Sequence, residues 1–286
     1  MVGKKYMTLS KFISVLVIFV CSIMSYGNSY AVEFEECSKF IGKNKTKYSK
    51  CLEYSFREAV AQSEFSKISH WLGSRADDDL NGPYEYLSLL MCSSSTNENG
   101  DTMGKEGDKP FKAEDSAQII KVTDQLLSLG ASFDSMPHFS LVTPLFCAVN
   151  RQNSQVLEHV LTQIKATTKD LDGSLYEGSI SEFVPLYRAV INNDLASAKV
   201  LLKHGATTEF SIWEGATALN AALKKNHVEI ANWLLDEGAV VQPRYDCSEK
   251  SSLGYALAIP ANVDGRGAIV ARIRALMKSV SVGVEC

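Results

Sequence analysis

Apolar residues recur with helical spacing in three stretches of the chain, and in each stretch the pattern breaks once before it resumes. The stretches are Thr143–Gln163, Val184–Ala206 and Thr217–Ala239. In the last of them, the polar run Lys224–Asn226 separates two apolar segments, and Gly238 follows the second. Apolar positions three and four residues apart give a helix one apolar face. The pattern therefore predicts three pairs of short helices, each with a face that another element must cover.

A constant spacing relates the three stretches. Leu186 and Leu219 are 33 residues apart, and so are Gly205 and Gly238. Leu145 and Leu186 are 41 residues apart, which is one period of 33 with an insertion of eight. A helix pair of this size cannot bury its apolar faces alone, so repeated pairs cover one another in a stack. The spacing predicts an elongated repeat array with a continuous core.

The predicted helix ends carry residues that suit them. Thr143 and Thr217 can accept hydrogen bonds from the unpaired N–H groups of a first helical turn. Pro185 lies where its missing N–H costs nothing. Gly205 and Gly238 can take the left-handed conformation that ends a second helix.

These features together resemble the ankyrin repeat. The sequence T-P-L at Thr143–Leu145 opens a first helix, L-L-x-x-G-A at Leu201–Ala206 and Leu234–Ala239 closes a second, and Asn226–Ile230 is similar to the family's second-helix start. The resemblance implies an all-α solenoid of about six helix–turn–helix units with degenerate ends and loop insertions. It also implies binding of another protein on a concave surface, without catalysis or a cofactor.

Weaker copies of the pattern extend the array on both sides of these units. They are Tyr54–Gly73, Tyr84–Cys92 with Ser116–Leu129, and Leu253–Ala258 with Ile269–Lys278. We therefore expect four parts in the chain: a leader at 1–31, an N-terminal segment at 32–52, the repeat array at 53–282 and a tail at 283–286. Within the array the best-matching units are 143–164, 184–206 and 217–239. Insertions at 93–113 and 169–182 are expected to be loops that contribute to partner specificity.

The leader has the pattern of a secretory signal. Three lysines and no acidic residue precede the apolar run Phe12–Met24, and small residues lead up to Ala31. We expect cleavage after Ala31 and a periplasmic or secreted protein that is not inserted in a membrane. The run of 13 residues is shorter than the roughly 20 that span a bilayer. The alternatives are an uncleaved anchor and a lipid anchor on Cys21.

Six of the seven cysteines remain after cleavage: Cys37, Cys51, Cys92, Cys147, Cys247 and Cys286. An even number in an oxidising compartment indicates disulfides. The repeat arrangement implied by the resemblance suggests the pairs Cys37–Cys51, Cys92–Cys147 and Cys247–Cys286. The alternative is that Cys92 and Cys147 are small buried apolar residues. No C-x-x-C pair occurs and no histidine stands at metal spacing from a cysteine, so no zinc site is predicted.

The net charge of the chain limits which classes of partner are expected. The whole chain has a net charge of −4, and removing the leader's three lysines leaves 26 basic against 33 acidic residues, a net of −7. This balance argues against nucleic acid as a partner and predicts a protein partner with a basic face.

No G-x-S-x-G or H-E-x-x-H motif occurs. In Asn97–Asp108, Glu106 follows Lys105 where a phosphate loop needs Ser or Thr, and Thr102 replaces the glycine of a calcium loop. The histidines are interpreted as structural: His70, His138, His159, His204 and His227.

The residues predicted to bind a partner lie in the loops between units. They are Phe139, Ser140, Glu182, Phe183, Trp213, Glu214, Tyr245, Glu249 and Lys250. Exposed aromatic residues beside acidic ones are effective protein-binding anchors. We therefore predict an exported, non-enzymatic protein-binding module, with toxin neutralisation in a bacterial periplasm as one specific form. The alternatives are an envelope scaffold or chaperone, a secreted virulence factor that acts on host proteins, and an enzyme whose site lies in the insertions.

Overall fold

The structure is a computed structural model of the chain. It describes residues 34–37, 39, 43–74, 83–92, 109–131, 144–165, 171, 184–209, 217–241 and 251–279. These residues form helices and turns and include no β-strand. The chain divides into two compact units, Met1–Glu58 and Ala59–Cys286. Among the described residues, no helix is both long enough and apolar enough to cross a membrane. The leader at 1–31 lies outside them.

The smaller unit contains helix α1, Phe34–Cys37, and the beginning of helix α2, Lys45–Ala61. A disulfide joins Cys37 to Cys51, with 5.7 Å between their Cα atoms. This is the local pair expected from the sequence, and it attaches α1 to the first half of α2.

Helix α2 begins earlier than the sequence pattern indicates. The repeat array was predicted to begin at Glu53, but the helix begins at Lys45. The side chain of Asn44 accepts a hydrogen bond from the backbone N–H of Lys47 at 2.9 Å, which caps the first turn. Helix α2 therefore contains the end of the predicted N-terminal segment, 32–52, as well as the beginning of the predicted array, 53–282.

The larger unit is a stack of helix pairs. After the end of α2, its helices are α3 Phe65–Gly73, α4 Pro83–Cys92, α5 Ser116–Ser128, α6 Pro144–Asn150, α7 Ser154–Ile164, α8 Pro185–Ile191, α9 Leu195–Lys203, α10 Ala218–Lys224, α11 Val228–Asp236, α12 Ser252–Ala258 and α13 Arg266–Ser279. A 3₁₀ turn, Ala113–Asp115, leads into α5. The even-numbered helices α4 to α12 pack in one row, the inner row. The odd-numbered helices α3 to α13 form a second row, the outer row. The expected all-α solenoid of helix pairs is confirmed.

The 33-residue period appears as a periodic core. Leu186 and Leu219 occupy equivalent places in two inner helices, and Leu201 and Leu234 do so in two outer helices; all four are fully buried. Burying one such side chain contributes about 2 kcal/mol. Each helix pair therefore obtains its stability from the pairs on either side.

The predicted helix ends are also present in the larger unit. The Thr217 hydroxyl accepts a hydrogen bond from the N–H of Asn220 at 3.2 Å, and Pro185 lies in the first turn of α8. Gly205 and Gly238 have φ angles of 99° and 89°. Thr143 lies outside the described residues.

Two caps of second helices were not predicted. Asn153 accepts a hydrogen bond from the N–H of Val156 at 3.1 Å, and Asp194 accepts one from the N–H of Ser197 at 3.0 Å. Both side chains follow a residue with positive φ, Gln152 and Asn193 respectively. In these two pairs the turn between the helices therefore combines one left-handed residue with one capping side chain; after Ser63 and Asn226 the left-handed residue is present without a side-chain cap.

Candidate protein-binding surface

The nine predicted binding residues lie in four segments outside the described residues: 132–143, 172–183, 210–216 and 242–250. The structure does describe the points at which these segments rejoin the stack. Each is followed by an inner helix, α6, α8, α10 and α12 in turn. The arrangement of those four helices therefore decides where the segments are anchored.

Neighbouring inner helices run in the same direction. Near their C-terminal ends, the Asn192 amide after α8 donates to the Asn150 side chain of α6 at 3.4 Å. Near their N-terminal ends, the Ser252 hydroxyl of α12 donates to the Asn220 side chain of α10 at 2.7 Å. The ring of His227, just after α10, likewise contacts the Ile191 carbonyl at the C-terminal end of α8. Contacts that join equivalent ends of neighbouring helices indicate that those helices are parallel. The four segments therefore rejoin the stack along one edge of the inner row.

The inner row is stiffened by an arginine between α6 and α8. The guanidinium carbon of Arg188 lies 4.8 Å from the ring centroid of Phe146, and only 7% of the Arg188 residue is exposed. A cation held over an aromatic face in a desolvated site is attractive. This stacking fixes the relative position of two neighbouring inner helices.

A disulfide joins α4 to α6, the first two helices of the inner row. Cys92 closes α4 and Cys147 lies in α6, and both are buried. Their Cα atoms are 5.1 Å apart. This is the second pair expected from the sequence, while Cys247 and Cys286 lie outside the described residues. All four described cysteines are in disulfides, and no group of three His, Cys, Asp or Glu side chains in the described ranges could hold a metal ion.

Arg151, which sequence reasoning missed, binds both ends of the insertion after α4. Its Nε donates to the carbonyl of Met91 at 2.7 Å, and one terminal nitrogen donates to the carbonyl of Lys109 at 3.0 Å. The guanidinium also lies 4.6 Å from the ring centroid of Phe111. Only 4% of Arg151 is exposed. The points at which segment 93–108 leaves and re-enters the stack are therefore held by one buried side chain.

Three of the five histidines make contacts between repeat units. His159 lies 2.7 Å from Asp124 of the preceding outer helix, and His204 lies 3.1 Å from Glu158. The ring of His227 contacts the carbonyl of Ile191 at 3.3 Å. Burial lowers the pKa of His227, although the bond to that carbonyl partly opposes the shift. These contacts agree with a structural role; His70 is exposed on α3, and His138 lies outside the described residues.

Glu158 should stabilise the stack only while it is ionised. Its hydrogen bond with Lys203 at 2.7 Å, assisted by His204 and opposed by desolvation, lowers the pKa of the carboxyl. The stabilisation is therefore complete above the ordinary pKa of a glutamate and is lost as the pH falls through the lowered value. Because a third of the side chain is exposed, we expect the difference in unfolding free energy between the wild type and Glu158→Gln to be under about 1 kcal/mol at neutral pH and to shrink towards zero as the pH falls through the lowered pKa of Glu158. Thermal unfolding across that range measures it; a difference that persists in acid would contradict the assignment.

A family model of ankyrin repeats, in three copies, matches residues 145–245. No curated protein sequence matches the chain. The matched range contains the pairs from α6 to α11, and the structure continues the same helix-pair arrangement on both sides of it. Ankyrin repeats mediate binding to other proteins, so the chain contains a protein–protein interaction module.

Proposed function

Taking the three ankyrin repeats at 145–245 as the premise, we propose that the chain is an exported, non-enzymatic protein that binds another protein along the inner row and its four loop segments. The observation that carries the proposal is the parallel inner row, because it anchors all four segments along one edge. A partner can then contact several loops at once without the loops having to be brought together, which lowers the ordering cost of binding.

Two observations support export. The first 31 residues have the pattern of a cleaved signal peptide. Two disulfides, Cys37–Cys51 and Cys92–Cys147, suit an oxidising compartment, since cytosolic proteins keep their thiols reduced. We therefore assign the chain to the periplasm or the extracellular space.

The specific activity that we propose is neutralisation of a toxin in a bacterial periplasm. This task requires a rigid surface that covers the active region of another protein, and it requires no chemistry from the binding protein. The net charge of −7 without the leader favours a toxin whose contact face is basic.

Mixed culture tests this activity directly. Cells lacking the protein should lose viability beside wild-type neighbours, and expression of the full chain should rescue them. A leaderless variant, beginning after Ala31, should not rescue because it stays in the cytosol. Equal rescue by the leaderless variant, or normal survival of the deletion strain, would contradict the proposed activity.

A double substitution tests the loop edge. Trp213→Ala with Glu214→Lys should weaken binding of the partner at least about tenfold, because buried aromatic anchors carry much of the energy of an interface. Thermal unfolding should stay within a few degrees of the wild type. Binding is measured by calorimetry with the partner identified from the exported fraction.

The control removes one exposed apolar side chain and reverses one exposed acidic charge on the outer row. Leu276, 37% exposed, lies on α13, and Glu229 is exposed on α11. Leu276→Ala with Glu229→Lys should leave affinity unchanged. Equal loss of affinity in both variants, or a collapsed thermal transition in the first, would show that Trp213 and Glu214 do not form a specific contact.

A further inference from the structure

Helix α2 carries a row of exposed lysines along one face. Lys47 and Lys50 are followed by Tyr54 at spacings of three and four residues, which places all three on one face of the helix. Lys43 continues the same spacing just before the helix. We call Lys43, Lys47 and Lys50, all exposed, the lysine stripe. Tyr54 is 49% exposed, the highest value among the large apolar side chains that the structure describes.

The positive charge of the lysine stripe is not compensated within the described part of the smaller unit. Its described carboxylates have other partners: Glu36 pairs with Lys39 at 3.6 Å, and Glu53 pairs with Arg57 at 3.0 Å. Glu58 also has a partner. No lysine of the stripe forms a side-chain hydrogen bond or ion pair with a described residue. Three positive charges therefore face solvent together.

The lysine stripe does not serve the stability of the helix that carries it. The unpaired N–H groups at a helix N-terminus carry a partial positive charge, which favours acidic residues in the first turn and disfavours lysine. The first turn of α2 has no acidic residue, and Lys47 is the third residue of the helix. Positions that oppose such a local preference are expected at functional sites. We therefore expect an anionic ligand at the stripe.

The composition of the lysine stripe favours a lipid surface over a protein as that ligand. Protein interfaces are depleted in lysine and enriched in arginine, whose planar group recognises carboxylates in a fixed geometry. The stripe contains lysines alone, and lysine clusters attract anionic headgroups without a fixed geometry. Tyrosine is enriched at the level of the headgroups. The acidic charge elsewhere on the protein opposes this attraction little, because charges more than about 8 Å away are screened at physiological ionic strength.

We propose that the lysine stripe holds the exported protein against an anionic membrane surface, with its ammonium groups beside lipid phosphates and the ring of Tyr54 at the level of the headgroups. The protein lies on the membrane surface and does not insert in it. The stripe belongs to the smaller unit, whereas the inner row belongs to the larger one. Membrane attachment is therefore a second binding function, separate from that of the inner row.

Sedimentation with lipid vesicles tests the proposal. The protein used is the exported form beginning at Val32, because the apolar run of the leader would itself bind lipid. Vesicles of phosphatidylcholine and phosphatidylglycerol in equal parts should bind half of the protein at an accessible lipid concentration on the order of 1 mM. Added salt should release the protein, and vesicles of phosphatidylcholine alone should not bind it. Equal binding to both kinds of vesicle would overturn the proposal.

Charge reversal identifies the lysines that bind lipid. Lys47→Glu with Lys50→Glu should weaken binding to the anionic vesicles at least about tenfold. Because acidic residues near a helix N-terminus are favourable, this variant should be no less stable than the wild type, so a loss of binding cannot be attributed to unfolding. The control, Lys121→Glu with Lys199→Glu, reverses two exposed lysines of the larger unit and should bind like the wild type. Equal weakening in both variants would show that total charge governs binding, and it would overturn the proposal.

The ring of Tyr54 has its own test. Tyr54→Ala should weaken binding to the anionic vesicles about threefold, while Tyr54→Phe, which keeps the ring, should bind more tightly than Tyr54→Ala. Unchanged binding in Tyr54→Ala would overturn the place assigned to this side chain.

An acidic segment of another protein is the competing ligand. A capped peptide of glutamates, added at the same total negative charge as the accessible lipid, should leave the protein on the vesicles. Displacement of the protein by this peptide would show that the lysine stripe recognises acidic protein segments, and it would overturn the proposal. Each of these results leaves the binding function of the inner row untouched.

Discussion

Replacing both Cys92 and Cys147 by alanine should lower the melting temperature of the larger unit by roughly 10 °C. The disulfide closes a stretch with a sequence separation of 55. On the chain-entropy account, a loop of that length contributes about 4 kcal/mol of stability. For a unit of this size, each kcal/mol shifts the melting temperature by about 2–4 °C. The bond joins α4 to α6, which are neighbouring helices of the inner row and belong to adjacent repeats. Its loss should therefore weaken the packing between these two helices.

The other described disulfide provides the comparison. Cys37 and Cys51 have a sequence separation of 14, for which the same account gives about 3 kcal/mol. Calorimetry should therefore show a smaller effect for Cys37→Ala with Cys51→Ala than for the Cys92–Cys147 pair. When both are measured in excess reductant, the wild type should unfold like the variant with all four alanines, because no disulfide then remains in either protein.

One outcome would contradict this expectation. An unchanged transition in Cys92→Ala with Cys147→Ala would show that the α4–α6 joint is held by packing and by Arg151 alone. A reductant effect that remains after all four substitutions would instead support the predicted Cys247–Cys286 pair, which lies outside the described residues.

The stack was predictable because its signals are local in the chain. The capping threonine at Thr217 and the positive-φ glycines Gly205 and Gly238 act on atoms within a few residues of themselves. The same helix ends then recur 33 residues apart along the chain, as at Gly205 and Gly238. The Cys92–Cys147 pair followed, since the period specifies which first helices are neighbours, whereas the Cys37–Cys51 pair was expected because the two residues are close in the chain. Local propensity and packing period agree here, and such agreement makes a fold readable from a single sequence.

The features that sequence reasoning missed depend on partners that no residue type reveals. Arg151 binds backbone carbonyls about 40 and 60 positions earlier in the chain, and any residue could supply those carbonyls. Trp233 fits the apolar pattern of its helix and would be assigned to the core, yet it lines a groove. The predicted binding loops remain predictions, because they lie outside the described residues.

Arg151→Met should destabilise the larger unit by about 3 kcal/mol or more, because it removes a buried cation from carbonyl groups that then have no donor. Two of these carbonyls, of Leu90 and Met91, belong to the last turn of α4, which the helix itself cannot satisfy. The third, of Lys109, lies where the insertion re-enters the stack. Methionine fills a similar volume and retains contact with Phe111, so the loss reports the hydrogen bonds rather than a cavity.

Two further variants, Arg151→Lys and Arg274→Met, show whether the loss of stability in Arg151→Met comes from the lost charge, the lost hydrogen bonds or the removal of any arginine. Arg151→Lys keeps the charge but replaces a planar fork by a single ammonium group, which cannot satisfy carbonyls on both sides of the insertion at once. It should therefore recover less than half of the loss in denaturant unfolding. Arg274→Met, an exposed position on α13, should change stability by no more than about 0.5 kcal/mol.

Limited trypsin digestion should cleave after Lys109 or Lys112 faster in Arg151→Met than in the wild type. If Arg151→Lys were fully stable, charge alone would hold the two ends; if the cleavage rate were unchanged, Arg151 would stabilise the fold without fixing the insertion.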